Sequence, residues 1–319
     1  MRILFITSTR LGDAVLSTGI LDHMIRRYSG ADITVACGPL VEGIFKTIPE
    51  VSRVIALKKQ KYWGHWFKLA QMTALTRWDI VIDLRNSIYT RLLPARKKYI
   101  WGQHDQTRHK VEQCAEVIGA NPPPAPHLWF DDVTLEKAER LVPGGGMPVL
   151  GIGPAANWPA KTWPAENFIA LIQRITMDDG FMPDARIAIF AAPGEEEVAY
   201  QVLKAFPDDR QIDVIAKADP LTAAAALKRC QFFIGNDSGL MHCAAAVGTP
   251  TLGLFGPSWP YLYAPWGAHC SYVSTPEDFD ELTSYKGYTP QTAPCLMASL
   301  TVDAAYKGAS HLWQQVAHV

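Results

Sequence analysis

The segment with the clearest chemistry is Gly235-Asn236-Asp237-Ser238-Gly239-Leu240-Met241-His242. It follows an apolar run, Phe232 to Ile234, and leads into an alanine-rich helical stretch ending near Ala246. The first turn of a helix has unpaired N–H groups and a partial positive charge, and both suit a phosphate. Asp237 or Ser238 can cap that helix, and Gly239 lets another group approach the backbone. An ordinary capped helix would read the same way. Gly248-Thr249-Pro250 and Phe255-Gly256-Pro257 then bracket a second apolar run as turn, strand, turn. Near the N-terminus, Gly12-Asp13 stands at a helix entrance, where a glycine and an aspartate serve as turn and cap. Glu195-Glu196-Glu197 also opens a helix, a place the helix dipole favours for acids.

The elements that must position these loops alternate. Strands are predicted at Ile3 to Thr7, Ile33 to Cys37, Val54 to Leu57, Ile80 to Leu84 and Tyr99 to Trp101. Helical spacing runs from Ala14 to Tyr28, through Phe45 and Ile48, and around Trp66 to Leu75. After Asn121-Pro122-Pro123-Pro124-Ala125-Pro126 and Pro143-Gly144-Gly145-Gly146 the pattern restarts. Further strands are expected at Val149 to Ile152, Ile187 to Ala191, Ile212 to Ile215, Phe232 to Ile234 and Thr251 to Phe255, with a helix from Pro164 to Met177. Short strands alternating with helices predict parallel sheets covered on both faces. The division is therefore 1–145 and 146–300, two doubly wound α/β domains. A last helical segment, 301–319, has the first domain as one place to pack. Ligand loops belong at the C-terminal ends of the strands.

Composition fits. The chain has 319 residues, 48% apolar and 19% charged, enough for two cores. A formal net charge of -1 argues against a nucleic-acid partner. The first apolar run is too short for a signal peptide, and no run of 18 apolar residues could span a membrane, so a cytoplasmic protein is expected. Six cysteines form no CxxC pair and no zinc spacing; buried, reduced thiols are expected.

Taken together, DSGLMH, CAAAVGTP and LFGP resemble the donor-binding region of glycosyltransferase family 9, the heptosyltransferases of lipopolysaccharide synthesis. The combination is far more specific than any one element, and the likeness covers nearly the whole chain. It implies a GT-B fold, two facing Rossmann-like domains with a cleft between them. It also implies inverting transfer of a sugar from a nucleotide-diphosphate donor, usually ADP-heptose, to the lipopolysaccharide inner core.

By this resemblance Asp13 is the catalytic base, taking a proton from the acceptor hydroxyl. Lys161 matches a lysine facing the donor phosphates, where a cation offsets charge on the departing diphosphate. Its Pro-rich loop, Trp158 to Pro164, predicts a surface-type side chain whose truncation changes stability by no more than about 0.5 kcal/mol. Gly12, Asp237, Ser238, Gly239, Leu240 and His242 are expected to bind donor, and Glu196, with Glu195 beside it, to approach the nucleoside. One departure is Pro154-Ala155-Ala156, where relatives often carry Ser or Thr. No metal and no cofactor is expected.

Two basic and aromatic runs, Lys58 to Lys68 and Arg96 to Trp101, with Arg108, His109 and Lys110 beyond, suit either a solvated surface or an anionic glycolipid acceptor at the inner membrane face. The alternatives are a sugar-nucleotide epimerase on the same scaffold, which would need several acid/base groups around the sugar, and a non-catalytic nucleotide-sugar binder.

Overall fold

The structure, a computed structural model, describes residues 1–290 and 292–316, with Trp63 described by its backbone only. The chain forms two compact units, the first Met1–Asp131 and the second from Asp132 onward.

The first unit runs β1 (Arg2–Ile6), α1 (Leu11–Arg27), β2 (Asp32–Cys37), α2 (Glu42–Lys46), β3 (Val51–Ala56), α3 (Gly64–Thr73), β4 (Trp78–Asp83), α4 (Ile88–Leu92), β5 (Ala95–Ile100) and α5 (Lys110–Ile118). Its sheet is parallel, in the order β3-β2-β1-β4-β5. Ile3, Leu4, Phe5 and Ile6 are all buried, so β1 reads as an unbroken apolar run and lies at the centre. The chain builds outward through β2 and β3, then returns to add β4 and β5 on the other side. The loops after β1 and β4 are therefore neighbours at a topological switch point.

The second unit runs α6 (Asp132–Leu141), β6 (Val149–Gly153), α7 (Ala165–Thr176), β7 (Arg186–Ala191), α8 (Glu196–Leu203), β8 (Gln211–Ile215), α9 (Pro220–Leu227), β9 (Phe232–Asn236), α10 (Gly239–Ala246), β10 (Thr251–Phe255), α11 (Pro260–Tyr263), β11 (Cys270–Ser274), α12 (Phe279–Thr283) and α13 (Val302–Val316). Its parallel sheet has the order β11-β10-β9-β6-β7-β8, so its switch point lies between β6 and β9. Two glycines let these central strands close. A Cβ at Gly153 would come within 2.8 Å of the Phe233 ring, and one at Gly235 within 2.9 Å of the same ring. The ring thus fills the space that two side chains would otherwise occupy.

Several expectations need correcting. The division falls at Asp131, ahead of the Pro143–Gly146 cluster, because α6 packs against α9 of the second unit. The C-terminal helix belongs to the second unit: α13 packs on α7, β10 and β11, and Trp313 stacks on Phe181 with ring centres 5.5 Å apart. Positions 317–319 of that predicted segment lie outside the described residues. β5 is longer than Tyr99 to Trp101, and β11 was not anticipated. Both are edge strands with one neighbour, and their polar residues blur the apolar signal.

Candidate active site

At the switch point of the second unit, Lys161 and Asp237 meet. Lys161 lies on the loop after β6, and Asp237 follows the last residue of β9. The lysine Nζ donates to Asp237 Oδ2 at 2.5 Å, with side chains only 14% and 8% exposed. Nζ also sits 4.8 Å from the centre of the Trp158 ring. This corrects the surface-type reading of Lys161, since a cation and a carboxylate share a largely desolvated site. His242 Nε2 stands 4.0 Å from Asp237 Oδ1, and the His242 side chain is buried.

Asn236 fixes the two loops to each other. Its Nδ2 donates to the Pro154 carbonyl at 2.8 Å, and its Oδ1 accepts from the Trp163 N–H at 3.2 Å. Trp163 is fully buried, and its Nε1 donates to the Leu300 carbonyl at 2.9 Å. The lysine is thus carried on a loop clamped from both ends. Ser238 is the N-cap residue of α10, yet its Oγ makes no hydrogen bond among the described residues. Gly239 and Leu240 form the first turn of α10, beside that hydroxyl.

Asp13 occupies the first turn of α1, in the first unit. Its Oδ2 accepts from Ser8 Oγ at a long 3.3 Å, and the same Ser8 Oγ accepts from the Arg10 N–H at 3.1 Å. Asp13 and the adjacent Gly12 are half-buried. The carboxylate keeps lone pairs for another proton donor. α1 packs on α5, and the negative charge of Asp13 helps burial push the Cys114 thiol up to about 12.

Glu195 and Glu196 follow β7, on the far side of β6 from β9. Each serves its own turn. Glu195 Oε2 accepts from the Ala192 N–H at 3.0 Å, and Glu196 Oε2 from the Gly194 N–H at 2.7 Å. Gly194 has φ +96°, a conformation that favours glycine. Burial raises the Glu195 carboxyl above its ordinary range, with the nearby Glu196 charge adding to the effect.

Sequence reasoning passed over two sets of residues. Asn236 lies inside the quoted motif but was not nominated, because its role as a clamp depends on strand order. The loop after β4 shares the first unit's switch point with Asp13. Buried Asp83 organises it, accepting from the Arg85 and Ser87 N–H groups at 2.7 and 2.8 Å and from the Ser87 and Thr90 hydroxyls at 2.6 Å each. Asn86 takes φ +51° there, and Arg85 is exposed. The run Asp83 to Ser87 looks like any polar turn until β4 is known to lie beside β1.

The sequence contains one Asp-x-Asp, Asp278-Phe279-Asp280. Asp278 caps α12 and exchanges hydrogen bonds of 2.9 Å with Glu281. Among the described residues, no three His, Cys, Asp or Glu side chains gather as a metal site. Burial pushes five of the cysteine thiols up to about 12. Cys295 departs from the expectation of burial: it is exposed, with its Sγ 3.2 Å from the Thr162 carbonyl. No helix among the described residues is long and apolar enough to cross a membrane.

Residues 111–288 match the family model of glycosyltransferase family 9 (heptosyltransferase). Over 305 residues the chain is 24% identical to lipooligosaccharide heptosyltransferase 2 of Haemophilus influenzae, covering 83% of this chain and 86% of that protein. A family 9 glycosyltransferase from Veillonella parvula superposes with a TM-score of 0.79 at 22% identity, over 98% of this chain and 97% of that one. The E. coli ADP-heptose lps heptosyltransferase II superposes at 0.72 with 19% identity, over 99% of each. These likenesses show the GT-B fold that the sequence predicts.

Proposed function

The chain belongs to glycosyltransferase family 9, and from that premise we propose that this glycosyltransferase moves heptose from ADP-heptose to a lipopolysaccharide core glycan, with inversion. The donor and acceptor follow the names of its relatives. In this reading the Asp13 carboxylate takes the proton of an acceptor hydroxyl. That oxygen forms the new bond to the anomeric carbon as the bond from carbon to phosphate oxygen breaks. The diphosphate leaves with the electron pair, and its growing charge meets the Lys161 ammonium and the first N–H groups of α10. One displacement with one base needs no covalent enzyme intermediate.

The observation that carries the reading is the placement of Lys161. Its ammonium is held 2.5 Å from Asp237, at the head of a helix and at a switch point. A desolvated cation there acts more strongly on developing charge than one in water. Asp237 holds it in place until a diphosphate competes for it. Glu196 and Leu240 complete the nucleoside and sugar contacts, and His242 lies behind Asp237. The acceptor is an anionic glycolipid, which the enzyme meets from the cytoplasmic side as a peripheral protein.

The test is a thermal-shift panel of ADP-, GDP- and UDP-sugars, followed by ADP release with and without truncated lipopolysaccharide core. A ligand at one hundred times its Kd stabilises by about 2.7 kcal/mol. ADP-heptose is expected to give the largest shift, with release dependent on the acceptor. Epimerised donor in the absence of acceptor would overturn the transfer reading.

A further inference from the structure

The chain's charge is unevenly distributed. Between Val51 and Trp101 there are eleven Lys or Arg, two Asp and no Glu, in a protein whose formal net charge is -1. One of the two acids, Asp83, is buried and committed to its own loop. This segment also exposes large apolar side chains that a solvated surface does not require.

α3 and α4 cover the same face of the first sheet. Trp66, Leu69 and Met72 of α3 and Tyr89 of α4 join one apolar cluster with Leu4, Val81 and Leu93. The Thr73 and Tyr89 hydroxyls, 2.7 Å apart, tie the two helices together. With those residues turned to the sheet, the outward side is left to others. Phe67 on α3 is 67% exposed, and Leu75 just past its end is 99% exposed. On α4, Ile88 is 60% and Leu92 79% exposed. Lys68 and Arg91 are exposed beside them. Apolar groups at helical spacing, interleaved with long cations, form the face of an interfacial helix. The apolar groups enter the headgroup boundary and the cations meet anionic lipid.

We propose that the outer face of α3 and α4 docks on an anionic lipid surface, so that the first unit works at the membrane. A second copy of this chain is a poor occupant, because a symmetric contact between two such faces would bring the exposed Lys68 and Arg91 of each copy against like charges. The proposal rests on the reading of the acceptor as a glycolipid, but it can be tested without donor or acceptor.

The experiment is co-sedimentation of the full chain with vesicles of phosphatidylcholine alone or with added phosphatidylglycerol, at low and high salt. Binding is expected only to the anionic vesicles, and it should weaken as salt screens the charges. The double variant Phe67→Ser/Leu92→Ser should lose binding at least tenfold. Lys68→Gln and Arg91→Gln should each lose about fivefold. The thermal shift given by ADP in each variant should match wild type, which shows that the variants fold. Equal binding to neutral vesicles, unchanged binding by the double variant, or a dimer that the double variant dissociates would each overturn the proposal. Vesicle binding without any sugar transfer would leave the docking face standing and remove the transferase reading instead.

Discussion

The two switch points are built in opposite ways. In the second unit, Lys161, Asp237, Asn236 and Trp163 form a buried and cross-bonded group, with the lysine gripped at 2.5 Å and the loops tied by Asn236. In the first unit, Asp13 has one long side-chain bond, 3.3 Å from Ser8. A site that must hold a fixed charge benefits from polar groups set in advance, since they need not reorganise when charge develops. A base must instead keep free acceptor capacity and access to its proton donor. Under the proposed roles, rigidity goes with donor binding and openness with proton transfer, and graded substitutions can break that pairing.

The largest effect is expected at the open site. Asp13→Asn should lower acceptor-dependent turnover by about 10²–10⁴ and leave ADP affinity by calorimetry near wild type. Wild-type turnover in that variant would reduce Asp13 to a turn residue. Next, Lys161→Ala should cost roughly 10²–10³ in turnover. Because its partner Asp237 is largely buried, the loss should also lower stability by about 1–3 kcal/mol. Lys161→Met with Asp237→Asn should recover most of the thermal midpoint and none of the turnover. If the double variant stays as unstable as the single one, the pair is not the source of the cost. Lys161→Arg should rescue turnover only in part, because a broad guanidinium cannot replace a compact ammonium.

Smaller effects should separate the clamp from the ligand surface. Asn236→Ala leaves the Trp163 N–H and the Pro154 carbonyl without their partner. A loss of about 1–3 kcal/mol is expected in denaturant unfolding. A cost under about 0.5 kcal/mol would mean that the loops hold without it. Gly239→Val places a β-branched side chain at the first turn of α10, where it should crowd a phosphate. ADP binding should weaken about tenfold, a cost of about 1.4 kcal/mol. Equal affinity would remove the phosphate reading of that helix start.

Much of this was legible without coordinates, for identifiable reasons. The central strands are buried on both faces, so Ile3–Ile6 and Phe232–Ile234 announce themselves as apolar runs, and the loops that follow them are easy to find. Edge strands such as Ala95–Ile100 lack that signal. The burial of Lys161 was not readable, because a Pro-rich loop with one lysine usually lies in solvent. Only the adjacency of β6 and β9, strands far apart in sequence, brings it to Asp237. The same holds for Asp83 and Arg85, whose loop the β1–β4 pairing sets beside the loop that leads to Asp13. Local residue types indicated what chemistry was available, and strand order decided which residues share it.

The smallest effects are expected after β7. Glu196 and Glu195 each spend one carboxylate oxygen on their own turn. In the proposed role, the second oxygen of Glu196 meets a ribose hydroxyl, and wild type should then prefer ADP to 2′-deoxy-ADP. Glu196→Ala should erase that preference at a cost of about 0.5–1.5 kcal/mol, a few-fold to about tenfold in Kd. Glu196→Gln, which still offers an oxygen to Gly194, should do less. Glu195 calls for a different measurement. Burial raises its carboxyl above the ordinary value of 4.5, so the folded chain holds that proton more tightly than the unfolded one. Its contribution is fully present below the ordinary value and is lost as pH rises through the folded one. Glu195→Gln keeps an acceptor for the Ala192 N–H and carries no charge. Its thermal midpoint should therefore rise slightly above wild type at pH 7 and converge with it near pH 4. A lower midpoint at pH 7, together with weaker ADP binding, would instead make the ionised Glu195 part of the nucleotide site and Glu196 its support.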